Sequence, residues 1–171
     1  MTYKNLKPQI ANAIKESCRT MDMRVNNIAN EVQNIPTFSV EPGVEIAQSL
    51  NKIIDQTIHD AVGLGCDLSI IVKGIMLGSF RSSPFMRQEA HKTIRILIKE
   101  TLHASFKYDG DIIQAIDGIL ASVVIIAQEY KLNVMEALKI AKEDVLANVK
   151  VLNSKFSDKI KESFSNSDDA S

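Results

Sequence analysis

The segment Thr57–Phe80, TIHDAVGLGCDLSIIVKGIMLGSF, returns 44 residues later as Thr101–Val124, TLHASFKYDGDIIQAIDGILASVV. Five positions are identical: Thr57/Thr101, His59/His103, Asp67/Asp111, Gly74/Gly118 and Ile75/Ile119. Conservative pairs surround them, among them Leu68/Ile112, Val72/Ile116 and Met76/Leu120. These matches fall on helix caps, glycines and apolar positions, the places that specify a helix–turn–helix unit. We read them as an internal duplication of a helical hairpin with a period of about 44 residues. One hairpin cannot bury its apolar face alone and needs neighbours. Two full units are fewer than an open solenoid uses, so the expectation is an all-α, compact six-helix bundle with internal pseudo-symmetry.

Glycine inside a helix costs about 1 kcal/mol relative to alanine, and it persists where something must approach the axis closely. Gly74 and Gly78 form G-x-x-x-G in the first copy, and Gly118 and Ser122 stand at the matching positions of the second. The second helix of each copy is apolar nearly all round, which marks a buried helix. The two are therefore expected to be the central pair, crossing near Gly74 and Gly118.

Outward from the repeat, the spacing of Ile10, Ile14, Met21, Val25, Ile28 and Val32 predicts a long amphipathic helix over 4–34. A linker with two prolines and a glycine, QNIPTFSVEPG, ends it. Hairpins follow over 44–80 and 84–130, the latter opened by Ser83 and Pro84. Asp111 with Gln114, and Asn133 with Glu136, have the spacing of capping boxes. Val134, Leu138, Ala141, Val145, Val149, Leu152, Phe156 and Ile160 predict one long C-terminal helix over 133–164. Residues 1–164 thus form a single helical domain, and the Ser- and Asp-rich 165–171 a disordered tail.

The 171 residues are 45% hydrophobic and 24% charged, with no Trp and a net charge of -1. The core must be aliphatic, and no global charge draws the chain to nucleic acid or anionic lipid. Cys18 and Cys66 are too few and too far apart for a disulfide framework or zinc site, and read as free thiols in a reducing compartment. The N-terminus has no apolar signal core, and the longest apolar run, 112–127, is broken by Gln114 and Asp117. A cytoplasmic protein without a transmembrane span is expected.

Chemistry-bearing patterns are sparse. Glu100 and His103 form Glu-x-x-His, the spacing of di-iron bundle ligands, and His59 is the repeat partner of His103. The matching Gln56 is a poor iron ligand, so the metal reading is weak and no cofactor is assigned. Arg87, His91, Lys92, Arg95 and Lys99 form a basic band that a partner could use. Without interleaved aromatics it argues against nucleic acid. No Gly-rich phosphate loop or nucleophile elbow occurs. The pattern favours a non-enzymatic protein acting through its surface, as a homo-oligomer or on another protein. The long terminal helices would overhang the hairpins and leave apolar stripes, such as Leu152 to Phe164, for a partner to cover. An amphipathic lipid-surface or granule-associated protein is the alternative, and a metal-dependent bundle enzyme the distant third.

Overall fold

The computed structural model describes residues 42–81 and 89–168, with side chains described over 51–80, 89–153 and 156–168. These residues form helices α1 (Pro42–Gly63), α2 (Leu68–Arg81), α3 (Ala90–Lys107), α4 (Ile112–Glu129), α5 (Val134–Leu152) and α6 (Ser154–Asp168). Among the described residues the chain is all-helical and has no strand. The expected helix over 4–34, residues 33–41 of its linker and the Ser83–Pro84 start signal lie outside them, and Pro42 and Gly43 of that linker open α1. Glu89 is not helical (φ -112°, ψ 54°) and stands as the N-cap of the helix that opens at Ala90.

Three turns share one construction. At the end of α1 the Cys66 amide donates to the Ala61 carbonyl (2.9 Å) and the Gly65 amide to Val62 (3.1 Å). At the end of α3 Gly110 donates to Ser105 (2.8 Å) and Asp109 to Phe106 (3.3 Å). At the end of α4 Leu132 donates to Ala127 (2.8 Å) and Lys131 to Gln128 (3.4 Å). This pairing satisfies the last carbonyls of a helix by placing one residue in the left-handed region. Those residues are Gly65 (φ 67°), Asp109 (φ 55°) and Lys131 (φ 55°). Two positions on, Asp67, Asp111 and Asn133 cap the next helix through their side chains. The first two turns fall in step with the 44-residue repeat. The third has the same device outside that frame, so the turn geometry alone does not argue for duplication.

Side-chain contacts fix the helix directions. Gln114 Oε1 accepts from the Leu68 amide (2.9 Å), and the Phe80 and Tyr130 rings meet at 4.9 Å, so α2 and α4 run parallel, start to start and end to end. Asn51–Glu100 and Asp55–Lys107 make α1 parallel to α3. Arg95–Asp144 joins α3 to α5. Hairpins α1/α2 and α3/α4 therefore stack in the same orientation, with α1, α3 and α5 forming one layer and α2 packed on α4 in the other. This is the arrangement of a short helical array, in which each hairpin is covered by its neighbours. Gln114 leaves the second half of its expected capping box to satisfy the first amide of the preceding unit.

Gly118 sits at the α2–α4 contact. A Cβ there would stand 2.6 Å from the Ser69 carbonyl oxygen and 2.9 Å from Val72 Cβ. The tight approach is thus made at Gly118, and its nearest neighbours are Ser69 and Val72, one turn before Gly74. Ser122 is buried and donates its hydroxyl to the Gly118 carbonyl (2.7 Å). Gly74 and Gly78 lie on α2, every residue of which from 74 to 80 is buried. Ile54, Ile58, Ile75, Met76, Phe80, Leu97, Ile98 and Ile119 make an aliphatic core with Phe80 as its largest side chain. α4 alone among the described helices is long and apolar enough to cross a membrane, yet Ala115, Ile116, Ile119, Val123, Ile126 and Ala127 on it are buried within the fold.

Four expectations are overturned. The single helix over 133–164 is broken at Asn153, whose backbone is extended (φ -159°, ψ 103°) and whose side chain accepts from the Phe156 amide (3.2 Å). The chain reverses there: Lys142 pairs with Asp168 (3.0 Å) and lies 5.5 Å over the Phe164 ring, so α6 folds back along α5. Apolar spacing runs through the break without a slip, which is why a single stripe was expected. Phe156, Ile160 and Phe164 pack on the core instead of overhanging it, and helix persists to Asp168 where a disordered tail was expected. Cys66 is disulfide-bonded rather than a free thiol. The chain's one other cysteine, Cys18, lies outside the described residues. Distance along the sequence does not bound distance in a fold, and the reducing-compartment argument loses its ground.

Candidate functional site

The outer side of the α1/α3/α5 layer carries a polar groove of about 590 Å³, lined by Asn51, Asp55, Glu100, His103, Lys107 and Leu152 among others. Parallel α1 and α3 bring its polar groups together. Asp55 Oδ1 accepts from Lys107 Nζ (2.9 Å) and Oδ2 from the Tyr108 hydroxyl (2.6 Å). Burial pushes the Asp55 carboxyl up, but those hydrogen bonds, with the charges of Lys107 and His59, outweigh it and hold the carboxyl below its usual range. Glu100 accepts from Asn51. The groove therefore holds carboxylates that already have donors.

Glu100 and His103 share this groove. His59 does not line it: its exposed ring lies 3.1 Å from Asp60 Oδ1 and edge-on to Tyr108 at 4.8 Å. Among the described residues no group of three or more His, Cys, Asp or Glu side chains is placed to hold a metal.

The basic band is interrupted by its own neighbours. Lys92 pairs with Glu89 (2.8 Å), and Arg95 Nε lies 3.2 Å from Asp144 Oδ2. His91 and Lys99 are exposed on the same helix, and Arg87 lies outside the described residues. Asp144 is mostly buried; burial raises its carboxyl pKa, the Glu143 charge adds to this, and Arg95 opposes it. The band is thereby tied into the α3–α5 packing.

A second groove, of about 560 Å³, was not foreseen. It lies between α5 and α6, on the hairpin that the break at Asn153 creates. Met135, Leu138, Lys142 and Leu146 follow one another at intervals of three or four along α5, with Lys139 beside Leu138 and one turn after Met135. Lys161, Phe164, Ser165 and Asp168 face them from α6. Apolar side chains floor the groove and three lysines stand around it. Lys142 is held by Asp168, whereas Lys139 and Lys161 form no ion pair among the described residues. Met135 is 77% exposed and Val151, at the other end of α5, is 82% exposed. The sequence signal for this site was Asn153 before Ser154, a pair of capping residues inside an apolar stripe.

No protein-family model matches the chain, and neither the curated proteins nor the solved structures include a significant match.

Proposed function

We propose that the chain is a non-enzymatic binding protein, a short helical array that works by holding another polypeptide against its last hairpin. The observation that carries this reading is the open α5/α6 pair. Among the described residues, α2 and α4 are enclosed by their neighbours, whereas α6 packs extensively only on α5. What remains uncovered there is an apolar-floored groove with Met135 standing almost free. Stacked-hairpin proteins bind partners through surfaces of this kind, and a closed aliphatic core supplies the rigid support. The expected overhang at the C-terminal end is absent, so the support comes from the groove instead.

Crosslinking of the full chain in cells tests the proposal. Introduced at Lys139 or Met135, a photoreactive side chain should form a discrete adduct with one polypeptide, either a second copy or a different protein. At exposed Gln128 on α4 it should not. Equal labelling at all three positions, or none at the groove, would sink the proposal.

A further inference from the structure

We infer that the α5/α6 groove receives an acidic amphipathic helix of a partner protein; this rests on the binding-protein reading above and names the chemistry of its partner. Length is the first argument. The α5 side of the groove runs from Met135 to Leu146, which at 1.5 Å per residue is roughly 16 Å, or three helical turns. Its walls are two facing stripes on antiparallel helices, the surface into which the apolar ridge of a third helix packs. Met135, Leu138, Leu146 and Phe164 supply the apolar contacts.

Charge supplies the second argument. Lys139 and Lys161 flank the apolar floor from opposite walls without an ion pair among the described residues. Glu143 stands one turn beyond Lys139 as the carboxylate that Lys142 does not hold. A partner helix with glutamate or aspartate on both sides of its apolar stripe meets both lysines, and a neutral or basic residue opposite Glu143 sets its register.

The same charges disfavour an anionic membrane. The exposed charges described on α5 and α6 set Glu136, Glu143, Asp158, Glu162 and Asp168 against Lys139, Lys150, Lys159 and Lys161. That balance gives no net pull toward a negatively charged plane. The attraction is local, to two points flanking a groove.

Fluorescence anisotropy of the full chain tests this with two labelled 18-residue helical peptides. One carries leucines at three- and four-residue spacing flanked by glutamates; the other has lysines in place of the glutamates. The acidic peptide should bind saturably and the basic one at least about tenfold more weakly. Lys139→Glu with Lys161→Glu should reverse that preference, and Met135→Asp should weaken the acidic peptide. All three residues are exposed, so unchanged melting curves certify the variants.

Equal binding of both peptides, or no response to the charge reversal, overturns the assignment. So does binding of phosphatidylglycerol vesicles with the same dependence on Lys139 and Lys161, which would make the groove a lipid site. If the acidic peptide fails while a groove-specific protein adduct still forms in cells, the binding-protein reading survives and only the partner's chemistry falls.

Discussion

Gly118→Ala is the most direct probe of the α2–α4 contact that holds the array together. The added methyl would stand 2.6 Å from the Ser69 carbonyl oxygen, 2.9 Å from Val72 Cβ and 3.1 Å from Ser69 Cα. Two of these are backbone atoms of a buried helix, so no rotamer change relieves them. The helices must separate by about 1 Å to reach ordinary contact, and a gap of that size forfeits roughly a quarter to a half of each neighbouring contact. Overpacking of this kind costs about 1–3 kcal/mol, against which alanine returns about 1 kcal/mol of helix propensity. The net expectation is a loss of up to about 2 kcal/mol, towards the upper end because the blocking atoms are backbone, read as a lower urea midpoint by circular dichroism. Two companions set the scale. At Gly110 the nearest atoms are the tips of Leu68 (2.7 Å) and Val62 (3.1 Å), which can rotate away, so Gly110→Ala should cost less. At Gly63, the last residue of α1, nothing lies within 4 Å, and Gly63→Ala should stabilise by up to about 1 kcal/mol. If Gly118→Ala proves as stable as the parent, or no worse than Gly110→Ala, the tight crossing is wrong.

Further outcomes follow from the buried polar groups. Thr57 and Thr101, 44 residues apart, are fully buried with hydroxyls that have no hydrogen-bond partner among the described residues. Valine keeps the shape and drops the hydroxyl, so Thr57→Val and Thr101→Val should each stabilise by about 1 kcal/mol in thermal melts; a loss would mean the hydroxyls are satisfied. Asp55, whose pKa is lowered in the fold, contributes fully above its unfolded value near ~3.9 and loses that contribution as pH falls through the lowered folded value. Asp55→Asn should therefore destabilise at pH 7 and converge with the parent in acid; a gap that persists at pH 2 would contradict this. Asp144 has the opposite sign, because its raised pKa makes the fold favour the protonated form. Its contribution is complete below the unfolded value and disappears as pH rises through the folded one. Asp144→Asn should be neutral or stabilising at pH 7, and marked destabilisation would refute the burial argument.

The all-helical class and the capping residues Asp67, Asp111 and Asn133 were legible in the sequence. Each rests on neighbours three or four residues away, and a cap bonds amides within its own first turn. Gly118 was legible too, because a glycine in an apolar helix announces a close approach. Its partner was not: which residue of α2 meets it depends on the crossing, and the structure puts Ser69 and Val72 there.

Asn153 marks the boundary between the two kinds of information. Its side chain and the stripe around it were visible, but a helix can run through an asparagine at modest cost. Local preference leaves the continuous and broken forms close in energy. The fold decides, because Phe156, Ile160 and Phe164 gain burial only when α6 turns back onto α5. That reversal creates the groove and brings Lys139 and Lys161 to its two sides. Likewise Cys66, read as a free thiol from spacing, is disulfide-bonded. Short-range hydrogen bonding and periodicity are written residue by residue; the meeting of distant side chains is set by the shared burial of all the helices at once.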